Sequence, residues 1–260
     1  MHKIYENFVL ANEIEDQYNS HLDLIRFCTV DNSLVGTPGM KKKINVYSAT
    51  NGTEKVAMGV GNSKDIEVTY SEVEYEILTA QNRFKYFDEQ EMTDPLVVTT
   101  GLRHMATDMF NTVNADVLAE FAKATQIVNA SAFDFGAFVD ASALLNSENI
   151  EGVDIFCLVN PEDVAAIRKT LKEDLKYVES FAKQGYIGHV AGMSINASKI
   201  VPKGTIYGGT REAVTLFNKK GTEVEQDRNS DIRENTLWSR KYYLAALTDA
   251  TKAFKIVKGA

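Results

Sequence analysis

The clearest pattern in the chain is an apolar stripe. Val98, Leu102, Met105, Met109, Val113, Val117 and Phe121 recur at steps of three or four and lead on to about Ala124, the period of one face of an α-helix. Asp94-Pro95 stands just ahead, a capping side chain followed by the residue favoured at the first helical position. Together these signals predict a helix of roughly 45 Å at about 1.5 Å per residue. Phe138–Leu145 predicts a shorter helix, and Val153–Val159 is a continuous apolar run suited to a buried strand. Asn160-Pro161-Glu162-Asp163 then repeats the cap-plus-proline signal and opens a helix with Val164, Ile167, Leu171, Leu175 and Val178 on one side.

Before the long helix the pattern changes to period two. Ile44–Ser48 predicts a strand, Asn51-Gly52 a two-residue turn, and Lys55–Val60 the returning strand of a hairpin. Past Gly59-Val60-Gly61-Asn62, the apolar residues Ile66, Val68 and Tyr70 alternate with polar ones, and Val73, Tyr75 and Ile77 alternate in the opposite phase. Because a one-residue slip moves every side chain to the other face, this change predicts a bulge or bend near Ser71-Glu72. Glu72, Glu74 and Glu76 form an acidic comb on one face. So many strand residues with so little core to enclose predict an extended ribbon.

Downstream, Val190–Asn196, Thr205–Tyr207, Ala213–Phe217 and Glu223–Gln226 read as short strands, with turns at Pro202-Lys203-Gly204 and Lys220-Gly221. A long strand, Thr236–Leu247, passes through Thr248-Asp249-Ala250 into a last strand, Ala253–Lys258. Residues 1–42 have helical potential near Tyr5–Ile14 and Leu22–Phe27, broken by Asp31, Asn32, Gly36, Pro38 and Gly39 before the basic triplet Lys41–Lys43. That predicts an arm lying over another surface, not a domain. The fold class is α+β, ending in β.

At 260 residues and 44% hydrophobic content the chain can bury a core without metal or disulfide staples, so Cys28 and Cys157 are expected to be plain thiols. There is no apolar run of about 18 residues and no secretory core at the N-terminus, which predicts a soluble protein made in the cytoplasm. A formal net charge of −8 and a pI near 5.1 argue against a protein that grips nucleic acid over its whole surface.

The sequence carries no recognisable catalytic motif. His2, His21, His104 and His189 have no carboxylate or cysteine at ligand spacing, and neither cysteine belongs to a CxxC pair. Gly59-Val60-Gly61-Asn62-Ser63-Lys64 starts like a dinucleotide fingerprint, but it has Lys64 in place of the third glycine and leads into a strand. There is no phosphate-binding loop and no nucleophile elbow. The sequons at Asn51, Asn129 and Asn196 lack a secretory signal. The acidic comb reads as a solvated face that discourages edge pairing, and Lys41–Lys43 as solubility or a patch for an acidic partner surface. No catalytic, cofactor-binding or metal residue is therefore assigned.

The order of arm, β ribbon, Asp-Pro-capped spine helix and strand–helix–strand domain resembles the major capsid proteins of tailed bacteriophages, the Hong Kong 97-type coat fold. The similarity is carried by Ile66–Asp94 running into Pro95–Lys123, and by the end of the chain from Thr222 through Asn235-Thr236-Leu237-Trp238 and Tyr242–Leu247 to Ala253–Lys258. The resemblance implies an N-arm at 1–42, an E-loop at 43–92, a peripheral domain from 93–135 with 211–247, and an axial domain from 136–210 with 248–260. It also implies a structural protein that self-assembles, as hexamers and pentamers, into an icosahedral head shell around double-stranded DNA without sequence-specific binding. It further implies no membrane, no enzymatic activity and no cofactor, with separate scaffold, portal and decoration proteins as partners. The location implied is the virion, assembled in the host cytoplasm. An arm-like region starting at Met1 implies a separate scaffold or none, and no cleavage of the coat. An encapsulin shell resembles the same fold and is the alternative; an enzyme would need a deep polar pocket. Some coats of this type join an E-loop lysine to a neighbour's asparagine. Lys55 and Lys64 would be the lysines here, but that chemistry needs a desolvated, neutral amine beside a carboxylate and no such trio stands out, so noncovalent shells are expected.

Overall fold

The computed structural model describes residues 4–6, 24–145, 154–171 and 188–259. Its strands are β1 (Ile4–Glu6), β2 (Thr29–Asp31), β3 (Lys41–Ala49), β4 (Val68–Glu76), β5 (Leu78–Phe87), β6 (Gln126–Ala130) and β7 (Ile155–Val159). They continue with β8 (His189–Val190), β9 (Met193–Ala197), β10 (Thr205–Gly209), β11 (Val214–Asn229), β12 (Glu234–Leu247) and β13 (Ala253–Lys258). The helices are α1 (Asp88–Thr93), α2 (Leu96–Ala122), α3 (Phe135–Leu144) and α4 (Pro161–Thr170).

The helix signals translate directly into structure. Asp94 Oδ1 accepts from the Leu96 N–H at 3.0 Å, satisfying one of the donors left free at a helix start. From there α2 runs 27 residues, about 40 Å. Its stripe from Leu102 to Phe121 is buried against the sheets. Asn160 Oδ1 caps α4 through the Glu162 N–H at 3.0 Å, while its amide donates to the Val201 carbonyl at 2.7 Å. Val164, Ile167 and Leu171 face the core as expected; Leu175 and Val178 lie outside the described residues. α3 begins at Phe135, earlier than the pattern suggested, because Asp134 Oδ1 accepts from Ala137 N at 2.9 Å.

Two sheets form the body. One carries β1-β11-β12-β5, with β2 also on β11, and the other carries β6-β13-β10-β7-β9-β8. The C-terminal half of α2 joins them: Phe121 meets Phe156 of β7 edge-on at 5.5 Å, in a core that also takes in Leu216 of β11 and Tyr243 of β12. A second core fills the space between the six-stranded sheet, α3 and α4. β3 and β4 form a two-stranded sheet of their own.

Several expectations are corrected. The partner of β3 is β4, in register from Lys41↔Glu76 to Ala49↔Val68, not Lys55–Val60. Asn51-Gly52 stands at the foot of the long loop 50–67 instead of forming the tip. Gly52 is glycine because a Cβ there would lie 2.6 Å from Ile66 Cγ1 and 2.8 Å from Ile66 N. The turn at the tip is Ala57–Val60, closed by Val60 N to Ala57 O at 3.1 Å. No bulge interrupts Ser71-Glu72, since the register runs unbroken through both. The phase change is real, but it marks a switch of the apolar face along the ribbon, from the body side at Tyr75 near its base to the opposite side at Tyr70 and Val68, with no break in register.

Leu78–Phe87 lies in the body, paired to β12 from Leu78↔Tyr243 to Phe87↔Glu234, and α1 follows it; the ribbon proper ends at Glu76. The predicted turn at Lys220-Gly221 is a disturbance inside one long strand, β11, with register shifts around Lys220, as a β-bulge allows. The predicted strand Val190–Asn196 is broken by Ala191 (φ 49) and Gly192 (φ 79), which turn β8 back onto β9. At the N-terminus, Tyr5 and Glu6 belong to β1 and not to a helix, and the rest of Tyr5–Ile14 lies outside the described residues, as does Leu22. Ile25–Phe27 is a single 3-10 turn that buries Leu24, Phe27 and Cys28 in the chain's own core.

Candidate functional site

Among the described residues no catalytic constellation is assembled, so the surfaces that the fold leaves uncovered are the candidate site. The most exposed is the ribbon. Cross-strand partners project to the same side and successive residues alternate, so Lys41, Lys43, Glu72, Glu74 and Glu76 share one face. Lys41 Nζ pairs with Glu74 at 2.5 Å and Lys43 Nζ with Glu72 at 2.6 Å. Hydrogen bonding to Lys41, then its charge, holds the Glu74 carboxyl below its usual range. Glu74 likewise raises Lys41, and Glu72 raises Lys43. The lysine triplet and the acidic comb, read separately in the sequence, are thus one charge ladder. The signal that would have joined them is opposite charge at period two in both segments.

Farther out on the same face the ladder gives way to Val68 and Tyr70, 63% and 67% exposed. The loop beyond adds Val56, Met58, Val60 and Ile66, all exposed and Met58 fully so. The loop is nonetheless organised: Glu54 accepts from the Ser63 N–H and from the Ser63 hydroxyl at 2.9 Å. Lys55 and Lys64 are both exposed, so the subunit itself does not supply the desolvation that crosslinking chemistry requires. Other uncovered apolar residues lie around the start of α2, where Met92 and Leu96 are 83% and 68% exposed, and beside β6 and α3 at Ile127, Phe135 and Val139.

The grooves of the described residues do not form a substrate site. A groove of about 640 Å³ runs between β5 and α2 and is lined by Asn82, Phe84, Gly101, His104, Met105 and Asp108 among others. Two of its lining residues serve the fold: Asn82 donates to the Met105 carbonyl at 2.9 Å, and the Phe84 ring lies directly on the helix backbone at Gly101. His104 is exposed. Among the described residues no group of three His, Cys, Asp or Glu side chains is placed to hold a metal. No helix there is long and apolar enough to cross a membrane. Cys28 and Cys157 are free and buried, and burial pushes both thiols up to about 12.

A long spine helix joining two sheets, with a two-stranded ribbon standing off the body, is the Hong Kong 97-type fold of phage capsid proteins. The resemblance to tailed-phage major capsid proteins stands. By sequence the chain is similar to the major capsid protein of Staphylococcus phage phiMR11, 27% identical over 261 residues that cover 96% of this chain and 92% of that protein. The mature capsid of bacteriophage PhiM1 matches with a TM-score of 0.71 at 11% identity, over 90% of this chain and 86% of the other. A virus-like particle from Pyrococcus furiosus matches with a TM-score of 0.64 at 12% identity, over 95% and 97%. No family model matches.

Proposed function

We propose that this chain is a structural major capsid protein that self-assembles, without catalysis, into the icosahedral head shell of a tailed phage around double-stranded DNA. The observation that carries the reading is the outer ribbon. Val68, Tyr70, Val56, Met58 and Val60 are apolar and exposed, on an element standing outside both cores, and a contiguous uncovered apolar surface marks a binding site. A neighbouring copy is the natural cover, since symmetry multiplies one modest contact set over many subunits. The net charge of −8 suits a container whose contents must not adhere to its wall. On this reading 1–42 is the N-arm, the E-loop expected at 43–92 is confined to the ribbon and its loop and ends at Glu76, 93–135 with 211–247 is the peripheral domain and 136–210 with 248–260 the axial domain. Hexamers and pentamers, with scaffold, portal and decoration proteins as partners, complete a virion assembled in the host cytoplasm.

The test is assembly of purified protein, followed by light scattering and electron microscopy, for the native chain and for one carrying Met58→Ser and Val60→Ser. The native chain is expected to form closed shells, and the variant to fold normally and assemble poorly. A native chain that stays monomeric across concentration, salt and scaffold conditions refutes the proposal. The alternative shell reading raised by the sequence, an encapsulin that encloses protein cargo, shares this fold and predicts different contents. Particles purified from the source that hold protein in place of DNA would establish it.

A further inference from the structure

The ribbon meets the body only at its base, around Ile77, Ile44 and Tyr75, and a short base fixes its position more firmly than its direction. Ile77 is the plug, 3% exposed and packed with Phe217, Leu244 and Ala246, and its N–H donates to the Met40 carbonyl at 2.8 Å. From there β4 runs back to Val68, about 30 Å at ~3.3 Å per residue, so a swing of about 10° at the plug moves the far end by about 5 Å. A shell of uniform curvature needs a second anchor.

That anchor lies two residues from the plug. Lys42 and Tyr75 are direct cross-strand partners and share the face toward the body. Lys42 Nζ lies 5.1 Å from the ring centroid of Phe217 in β11. Tyr75 bears on the body elsewhere: its hydroxyl donates to the Leu247 carbonyl at 3.5 Å, and Lys123 Nζ lies 5.9 Å from its ring centroid, within reach of a cation–π contact. One carboxylate holds both of these partners. Glu120, 8% exposed in the last turn of α2, accepts from Lys123 Nζ at 2.5 Å and from the Leu247 N–H at 3.2 Å. Apolar packing holds only the inner side of the ribbon, where Ile44 and Tyr75 rest on the plug cluster; toward α2 a cavity of about 430 Å³ opens between Tyr75, Leu78 and Ala80 on one side and Thr112, Asp116 and Ala119 on the other.

We propose that Glu120 is a positioning residue for assembly: by holding Lys123 and Leu247 against Tyr75 it sets the angle of the ribbon and confines the shell to one curvature. The inference rests on the shell-forming reading above. Glu120→Gln keeps an acceptor for the Leu247 N–H but releases Lys123. Lys123→Met removes the ammonium from a side chain that is 57% exposed, so folding is spared even where the glutamate variant is unstable. Both variants are expected to keep the native circular dichroism and to give shells of several diameters, or open sheets, where the native chain gives one diameter by electron microscopy. Spin labels placed by Met58→Cys and Asn111→Cys report the angle directly, with Cys28 and Cys157 buried and unlabelled; Lys123→Met is expected to broaden the distance distribution in the subunit. Variant shells of a single native diameter together with an unchanged distribution overturn the proposal. A native chain that forms no shells refutes the shell reading instead, while the distance measurement on the subunit still decides whether the clamp exists.

Discussion

Gly208 offers a test of the body in which the sign of the effect follows from geometry. It lies in β10, between β7 and β13, opposite Cys157 and Phe254. Replacing a glycine inside a strand by alanine normally stabilises by roughly 0.5–1 kcal/mol, because the unfolded chain loses freedom. Here the added Cβ would meet the Phe254 ring and the Phe156 carbonyl oxygen, the latter at 2.7 Å. Phe254 and its neighbours Ile206 and Cys157 are fully buried, and the carbonyl belongs to a paired strand, so neither obstacle can withdraw into open space. Overpacking of this kind costs about 1–3 kcal/mol, which exceeds the entropic gain and leaves a net loss of about 1–2 kcal/mol. At about 2–4 °C per kcal/mol for a chain of this size, Gly208→Ala should lower the melting temperature by roughly 2–8 °C. Gly221 is the control, since nothing lies within 4 Å of its Cβ position, and Gly221→Ala should be neutral or slightly stabilising. Both are measured by thermal and urea unfolding of unassembled subunits. A Gly208→Ala subunit as stable as the native one, or more so, refutes the reasoning.

Asn160→Ala removes the cap of α4 and leaves the Val201 carbonyl without its 2.7 Å donor; a loss of about 1–3 kcal/mol is expected in urea titrations. The charge ladder of the ribbon should be acid-labile. Glu74 has a lowered folded-state pKa, so its contribution is complete above the ordinary glutamate value near ~4.3 and is lost as pH falls through the folded-state value. Faster amide exchange in 41–49 and 68–76 at that pH, with β7 and β13 still protected, is the expected result. Cys28 and Cys157, both pushed up to about 12, should resist iodoacetamide at pH 8 in the native state and react fully in guanidinium, because the thiolate is the nucleophile; mass spectrometry counts the adducts.

What could be read from the sequence was local. Asp94-Pro95 and Asn160-Pro161 announce their helices because capping chemistry is confined to three or four residues, and the structure places each cap oxygen where the signal puts it. The ribbon pairing was hidden because Lys41–Ala49 finds its partner beyond a long loop, while Asn51-Gly52 advertises a nearer turn. Leu78–Phe87 was absorbed into the ribbon for a related reason. Its inward residues Ala80, Asn82, Phe84 and Tyr86 keep the period of two, and only a shift of phase after Ile77, buried at the junction, marks where the ribbon stops and the body sheet begins. The Glu120–Lys123–Tyr75 contact joins a helix end to a strand over 40 residues away, and residue types so common give no sequence signal.

On the shell-forming reading, the two halves of the ribbon face have opposite tasks before assembly. Near the body, where β3 and β4 would otherwise present free edges, the face carries alternating lysines and glutamates that pair across the strands and discourage a foreign strand from adding on. The apolar residues are displaced outward to Val68, Tyr70 and the loop, where contact requires a partner of matching shape and not merely another strand edge. Exposed ion pairs of this sort contribute little to folding, so their value lies in what they prevent. Replacing Lys41 and Lys43 by threonine should therefore leave the melting temperature of the subunit nearly unchanged while raising thioflavin-positive aggregation at the expense of ordered particles. Unaltered particle yield and no aggregation in that variant would refute this account of the ladder.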